Sequence, residues 1–127
     1  MRRDIEVWWK QAQKDHENAQ KNYKTGEYYL VAFLTQQAIE KALKAYYLYT
    51  KEEFADKTHS LVYLGKQVGL PPKLLTTVRK VNPDFIFTRY PDMEGVPPYE
   101  AYDETIAKER LEQGEEVLAW IESKMTS

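Results

Sequence analysis

Apolar and polar positions along this chain alternate with the three- and four-residue spacing of amphipathic helices. The first apolar stripe consists of Ile5, Trp8, Ala12, Ala19 and Tyr23. It predicts a helix over residues 3–23, which the glycine at position 26 ends. The next segment, 27–50, has two apolar stripes. A helix that is apolar on two sides is predicted to lie at the centre of the fold or in an interface.

Turn residues divide the rest of the chain into shorter elements. The predicted elements are helices over 58–68, 72–81 and 100–124, a single helical turn at 85–87 and a proline-rich loop at 89–98. Asp56 or Thr58 is expected to cap the first of these helices, and Pro72 suits the first turn of the second. The pattern contains no repeat and no clear strand, so it predicts an all-α protein.

The composition limits the protein to one cysteine-free domain. The 127 residues are 43% hydrophobic and include no cysteine, and a chain of this size can bury a core without disulfides or metals. Disulfide-rich secreted proteins, iron–sulfur proteins and cysteine-dependent enzymes are therefore excluded. The N-terminal sequence has no apolar signal region, and no uncharged run approaches the roughly 18 residues of a membrane span. We expect a single domain over residues 1–127, located in the cytoplasm and not in a membrane.

Charge is distributed unevenly along the chain, although the formal total is only -2. Residues 57–80 contain five basic side chains and no acidic one, whereas residues 100–127 contain eight acidic and three basic side chains. Two interpretations remain open: these are solvated helix faces, or one face of the protein attracts anions.

Most known catalytic and metal-binding patterns are absent. The two histidines, His16 and His59, do not form the Glu-x-x-His pairs that a carboxylate-bridged di-iron site requires. No serine lies in a nucleophile-elbow sequence, and five scattered glycines cannot form a phosphate-binding loop. We therefore expect neither a metal site nor a cofactor.

A small set of residues remains that suits anionic ligands. It consists of Lys41, Lys44, His59, Arg89 and Tyr90. Arginine offers a planar fork of donors for phosphate, and tyrosine offers a stacking face with a hydroxyl group. The alternative for these residues is structural. Arg89 would then pair with Asp92 or Glu40. Tyr90 would pack on the bundle, and His59 would cap a helix or donate to a backbone carbonyl.

Four stretches occur in an order that is typical of one small helical family. They are residues 9–19, residues 29–45 with Gln-Gln-Ala-Ile-Glu-Lys-Ala-Leu-Lys-Ala at their end, residues 58–64 with Thr-His-Ser-Leu at their start, and Arg-Tyr-Pro-Asp at 89–92. In this combination the chain resembles the HEPN domain, a nucleotide-binding domain of higher eukaryotes and prokaryotes, over nearly its whole length. Each stretch alone is weak evidence, whereas their order is fairly specific.

The resemblance has implications for fold, partners and activity. It implies an up-and-down bundle of four or five helices that is frequently a homodimer. It also implies a separately encoded minimal nucleotidyltransferase as partner, as in a toxin–antitoxin pair. Many HEPN proteins are metal-independent ribonucleases, whose motif is an arginine followed by four to six residues and a histidine.

This sequence departs from the ribonuclease motif. No histidine follows Arg79, Arg89 or Arg110 at the required spacing, so there is no obvious general base for a ribose 2′-hydroxyl. The family's catalytic residues do not transfer to this chain. The resemblance still implies that Arg89, with Tyr90 and His59, faces a phosphate.

Three hypotheses about function follow. The leading one is a non-catalytic HEPN domain that binds a nucleotide or an RNA phosphate through the five residues named above, together with a nucleotidyltransferase partner. The second is a ribonuclease toxin in which Arg89 acts with Tyr90 or His59. The third is a helical dimer that mainly recruits its partner. Its exposed apolar patch would include Tyr28, Tyr46, Tyr49 or Trp120.

Overall fold

The structure, a computed structural model, describes residues 2–92 and 95–125, and all regular secondary structure in these ranges is helical. The helices are α1 (Arg3–Lys24), α2 (Tyr28–Lys51), α3 (Leu61–Gln67), α4 (Pro72–Val81), α5 (Asp84–Phe87), α6 (Pro98–Ala101) and α7 (Glu104–Met125). The predicted all-α class is confirmed. None of the helices in these ranges is both long enough and apolar enough to cross a membrane.

The long helix α2 is the centre of the bundle. It packs against α1 and α7 on its long sides and also contacts α3, α4, α5 and α6. The buried residues of α2 are Val31, Ala32, Thr35, Gln36, Ala38, Ile39, Glu40, Ala42, Leu43, Ala45 and Leu48. The prediction of a central helix is therefore confirmed. Three of the buried residues, Thr35, Gln36 and Glu40, are polar. Gln36 and Glu40 belong to the site described below.

α1 and α2 form an antiparallel hairpin with a three-residue connection. Gly26 adopts a left-handed conformation with φ of 79° in this connection, a geometry that glycine reaches without the strain that a Cβ introduces. The Glu27 amide then donates to the Asn22 carbonyl at 2.9 Å. The hairpin brings the middle of α1 against the middle of α2, so that Asp15 faces Lys41.

The third predicted helix is shorter than expected, and neither Asp56 nor Thr58 is its N-cap. α3 begins at Leu61 because the Ser60 hydroxyl oxygen accepts a hydrogen bond from the Tyr63 amide at 3.1 Å, as an N-cap side chain does. The Thr58 hydroxyl instead accepts from the Ser60 amide. The segment before α3 is thus a loop, and His59 lies in it.

The last predicted helix is divided into two. α6 ends at Ala101, and Tyr102 is extended, with φ of -115° and ψ of 133°. α7 begins only at Glu104, where the Asp103 carboxylate accepts from the Ile106 amide at 2.8 Å. The predicted start at residue 100 is therefore wrong, because a cap at Asp103 starts a new helix. The predicted helix at 72–81 and the turn at 85–87 are confirmed as α4 and α5.

The aromatic residues of the recruitment hypothesis lie in two separate clusters. Tyr46 stacks on Tyr49 with ring centroids 6.2 Å apart and meets Trp120 edge-on at 5.6 Å. Tyr28 packs with Tyr23 in a second, smaller cluster at a centroid distance of 6.0 Å. These residues do not form one continuous exposed patch.

Candidate functional site

Arg89 is held against two aromatic rings. Its guanidinium carbon lies 4.4 Å from the ring centroid of Phe85 on α5 and 5.1 Å from that of Phe33 on α2. Both distances are within the range of a cation–π interaction. No hydrogen bond or ion pair joins the guanidinium to another residue within 2–92 and 95–125. Its fixed fork of N–H donors is therefore free to bind a ligand.

His59 packs on the same phenylalanine ring. The imidazole and the Phe85 ring are stacked, with centroids 4.1 Å apart and planes 15° apart. Its Nδ1 lies 3.0 Å from Glu40 Oε1, so the ring nitrogen donates to the carboxylate. A structural role for His59 was expected, such as capping a helix or donating to a backbone carbonyl, and the acceptor of its hydrogen bond is instead the Glu40 carboxylate. Nε2, the other ring nitrogen, is left for a ligand.

Glu40 organises the polar part of the site from within α2. Its side chain is only 7% exposed, and the carboxylate accepts from Gln36 Nε2 at 3.1 Å and from Lys44 Nζ at 3.2 Å. Together with His59, these donors satisfy a carboxylate that burial alone would penalise. Glu40 thus fixes His59 and Lys44 beside each other.

Lys41 does not join this group. Its ammonium pairs with the buried Asp15 on α1 at 2.5 Å. The salt bridge links the two helices of the hairpin, and α2 turns Lys41 towards α1 while Lys44 turns towards His59. Of the two lysines named from the sequence, the structure brings Lys44 to the site.

Tyr90 and Asp92 lie in the turn after α5. Tyr90 is 50% exposed. Asp92 is exposed, and no ion pair joins it or Glu40 to Arg89. The predicted loop at 89–98 includes positions 93 and 94, which lie outside the described residues. Tyr90 therefore exposes half of its side chain to solvent, directly after Arg89 in the chain.

A buried ion pair anchors the short helix that carries Phe85. Asp84 is 2% exposed, and its carboxylate accepts from Tyr102 Oη at 2.8 Å and from Arg110 Nε at 2.5 Å. Burial raises the pKa of Asp84, and the hydrogen bond and charge of Arg110 oppose that rise. α5 is thereby fastened to α7, which fixes the position of Phe85.

Sequence reasoning missed the two phenylalanines at the centre of the site. Phe33 was visible only as part of an apolar stripe, and Phe85 only as part of an aromatic run. A hydrophobic pattern does not distinguish a ring that fills the core from one that supports a cation. A useful signal was available in the adjacent Gln36 and Gln37, since two amides in the middle of a central helix require partners.

The five basic residues of 57–80 do not form one patch. Lys57 lines a cleft beside Trp8, whereas Lys80 lines another beside Arg110. Lys73 faces α7, with its ammonium 3.9 Å from Glu116. The described residues of this segment therefore give single separated cations and not a broad basic face.

His16 lies on another side of the bundle. It lines a groove between α1 and α7 together with Trp9, Glu115 and Leu118. Burial lowers its pKa, against an opposing effect of Glu115. No cluster of three or more potential metal-ligating side chains occurs within the described part of the chain.

Comparisons with known proteins identify the family. A model of the HEPN domain family matches residues 5–124, so this chain belongs to the HEPN domain family. No curated protein matches it significantly.

Two solved structures are similar over almost the whole chain. The crystal structure of TT1696 from Thermus thermophilus is 30% identical, covers 94% of this chain and 97% of its own, and has a TM-score of 0.87. The crystal structure of ST0689, an archaeal HEPN homologue, is 34% identical, covers 98% of this chain and 99% of its own, and has a TM-score of 0.81. The sequence resemblance and the predicted fold are thus both confirmed.

Proposed function

We propose that this HEPN protein binds the phosphate groups of a nucleotide or of RNA at the surface formed by Arg89, Phe85 and His59. We call this surface the phosphate site. The observation that carries the proposal is the free guanidinium of Arg89, fixed by two aromatic rings. A guanidinium offers paired donors that match the oxygens of a phosphate, and aromatic support orients it before a ligand arrives.

The neighbouring side chains supply further donors. The His59 imidazole packs on the same ring as Arg89, and we propose that one phosphorylated ligand contacts both groups. Glu40 accepts from Nδ1 and so holds the ring with Nε2 available to a ligand. Lys44 adds an ammonium 3.2 Å from the same carboxylate. Tyr90, half exposed and next to Arg89 in the chain, is proposed to donate its hydroxyl to a phosphate oxygen.

The partner part of the proposal rests on family membership. The protein is proposed to act as a homodimer together with a separate minimal nucleotidyltransferase, in a toxin–antitoxin-like pair. Co-expression with a small nucleotidyltransferase from the adjacent reading frame, followed by mass measurement in solution, tests it. A stable complex supports the pairing, and two proteins that elute separately at micromolar concentration contradict it.

Titration of ATP, other nucleotides and short RNAs against wild type and Arg89→Ala tests the phosphate site. Arg89 is exposed, so its truncation leaves the core intact. Loss of a charge-assisted contact is expected to weaken binding about 10- to 100-fold. Arg79→Ala, on exposed α4 surface, is the matched control and is expected to bind like wild type. Equal affinity of wild type and Arg89→Ala contradicts the proposal.

A second function is favoured by the Glu40–His59 hydrogen bond. The carboxylate holds one imidazole nitrogen, and the other nitrogen is free to act as a base. The same carboxylate–imidazole hydrogen bond occurs in hydrolytic triads. In a ribonuclease His59 Nε2 would take the proton of a 2′-hydroxyl, whose oxygen attacks phosphorus while the 5′-oxygen leaves with a solvent proton. Arg89 would stabilise the charge on the phosphate. Cleavage that is lost in both His59→Ala and Arg89→Ala supports this activity, whereas cleavage that persists in either comes from elsewhere.

A further inference from the structure

A cleft next to the phosphate site has the chemistry of a base-binding pocket. It has a volume of about 310 Å³, which is at the lower end of the range for small-molecule sites. Its lining residues are Trp8, Lys44, Phe54, Ala55, Asp56 and Lys57. Two large aromatic side chains and two ammonium groups therefore share one small concave surface.

The cleft is built by the way α2 ends. Glu52 adopts a left-handed conformation, with φ of 59°, and its amide donates to the Leu48 carbonyl at 3.0 Å. This reversal directs the following loop across the beginning of α1. Phe54 then lies opposite Trp8, although it is 66% exposed. An exposed phenylalanine in a short loop has no role in the core that explains its position.

Lys44 joins the cleft to the phosphate site. Its ammonium lies 5.7 Å from the ring centroid of Trp8 and 3.2 Å from Glu40 Oε2. Phe33, Gln37, Glu40 and Lys44 are spaced by four, three and four residues, so they occupy one face of α2. At a rise of 1.5 Å per residue, this strip is about 16 Å long. It extends from the ring under Arg89 to the ammonium beside Trp8.

One cation of the cleft, Lys57, is open to an anionic ligand, whereas Lys44 is paired with Glu40. Lys57 is exposed and has no carboxylate partner among the described residues. The one acid in the lining, Asp56, already accepts from the Tyr63 hydroxyl at 2.8 Å. A flat aromatic ligand that carries negative charge satisfies both the rings and the ammonium groups. A nucleobase with its attached phosphates has this chemistry.

We infer that this cleft binds the base of the nucleotide, stacked against Trp8 and Phe54, while its phosphates extend along α2 towards Arg89. The inference rests on the proposed phosphate site and adds the place of the base. A free nucleotide and a single-stranded RNA share this chemistry, and the experiment below includes both.

The direct test compares ligands with and without a base. ATP, a short oligoadenylate and inorganic tripolyphosphate are titrated against wild type, Phe54→Ala and Val7→Ala. Phe54→Ala is expected to weaken binding of at least one base-containing ligand about tenfold and to leave tripolyphosphate binding unchanged. Val7 is an exposed apolar residue beside Trp8 that does not line the cleft, so Val7→Ala is expected to match wild type. The ligand that binds more tightly identifies the natural source of the base.

The failures of the two proposals are distinguishable. If Phe54→Ala binds ATP and oligoadenylate like wild type while tripolyphosphate binding depends on Arg89, the base cleft is wrong and the phosphate site stands. If tripolyphosphate binding is absent or is the same in Arg89→Ala, the phosphate site is wrong.

A spectroscopic test reports on Trp8 itself. The chain has three tryptophans, and the double variant Trp9→Phe, Trp120→Phe retains only Trp8. A base stacked on the indole is expected to quench its fluorescence, so ATP or oligoadenylate lowers the signal and tripolyphosphate does not. Unchanged fluorescence with both base-containing ligands at saturation overturns the inference.

Discussion

His59 Nδ1 lies 3.0 Å from Glu40 Oε1, so a carboxylate on the central helix fixes an imidazole that belongs to a loop. The Glu40 side chain is 7% exposed, whereas that of His59 is 56% exposed. A buried anion thus orients an accessible ring towards solvent. This relationship fixes the orientation of one of the two histidines of the chain.

The first prediction concerns the buried carboxylate. Glu40→Gln keeps the shape of the side chain but removes the charged acceptor of Lys44 and His59. The free energy of unfolding, measured by urea denaturation, is expected to fall by about 1–3 kcal/mol because these charge-assisted hydrogen bonds are lost.

Glu17→Gln is the matched control for this prediction. Glu17 also pairs with a lysine four residues later at 3.2 Å, but both partners are exposed, and exposed ion pairs contribute little. The control is expected to unfold like wild type. Equal effects of the two substitutions contradict the role of burial at Glu40.

The second prediction concerns the ring shared by Arg89 and His59. Phe85→Leu keeps apolar volume but removes the aromatic ring on which both groups pack. Tripolyphosphate affinity, measured by calorimetry, is expected to fall several-fold because the guanidinium and the imidazole lose their common support. Phe87→Leu, on the same short helix, is the control and leaves affinity unchanged. An unaffected Phe85→Leu shows that the aromatic support does not matter for binding.

The third prediction concerns the anchor of α5. Arg110→Leu leaves the Asp84 carboxylate buried without its counter-charge and is expected to lower the free energy of unfolding by about 3 kcal/mol at pH 7. Lys108→Leu, on exposed surface of the same helix, is expected to have no such effect.

The loss of unfolding free energy in Arg110→Leu is expected to depend on pH. Burial raises the pKa of Asp84, and without Arg110 that pKa rises further above the unfolded value of about 3.9. The folded variant then keeps a proton that the unfolded chain releases, so its stability is greatest below the unfolded pKa and is lost as the pH rises. The difference between wild type and variant therefore shrinks from pH 7 towards pH 4. A difference that grows on acidification contradicts this direction.

Patterns of neighbouring residues in the sequence were sufficient to predict most of the helices. The period of the apolar positions predicted the long helices, and Pro72 marked the start of α4. The beginning of α3 was missed because part of its cap is distant in sequence: Asn82 Oδ1 accepts from the Leu61 amide at 2.8 Å. The beginning of α7 was missed because the apolar pattern continues across Tyr102, whose hydroxyl is drawn to Asp84 and whose backbone is extended there.

The site was only partly predictable. The residue types of Arg89, His59 and Lys44 suited phosphate, and the structure brings these three together. Their supports were not readable from the sequence, because stacking on Phe85 and pairing with Glu40 depend on how the loops fold back on α2. Lys41 also suited phosphate by residue type. Its position on α2 turns it towards α1, where it pairs with Asp15.

Nuclear magnetic resonance of the two histidine side chains detects directly whether phosphate binds beside His59. His59 lies in the phosphate site, and His16 lies in the separate groove between α1 and α7, so it serves as an internal reference. On titration with tripolyphosphate, we predict saturable shifts of the His59 imidazole signals while those of His16 stay unchanged. His59 signals that do not move, or shifts confined to His16, contradict the account.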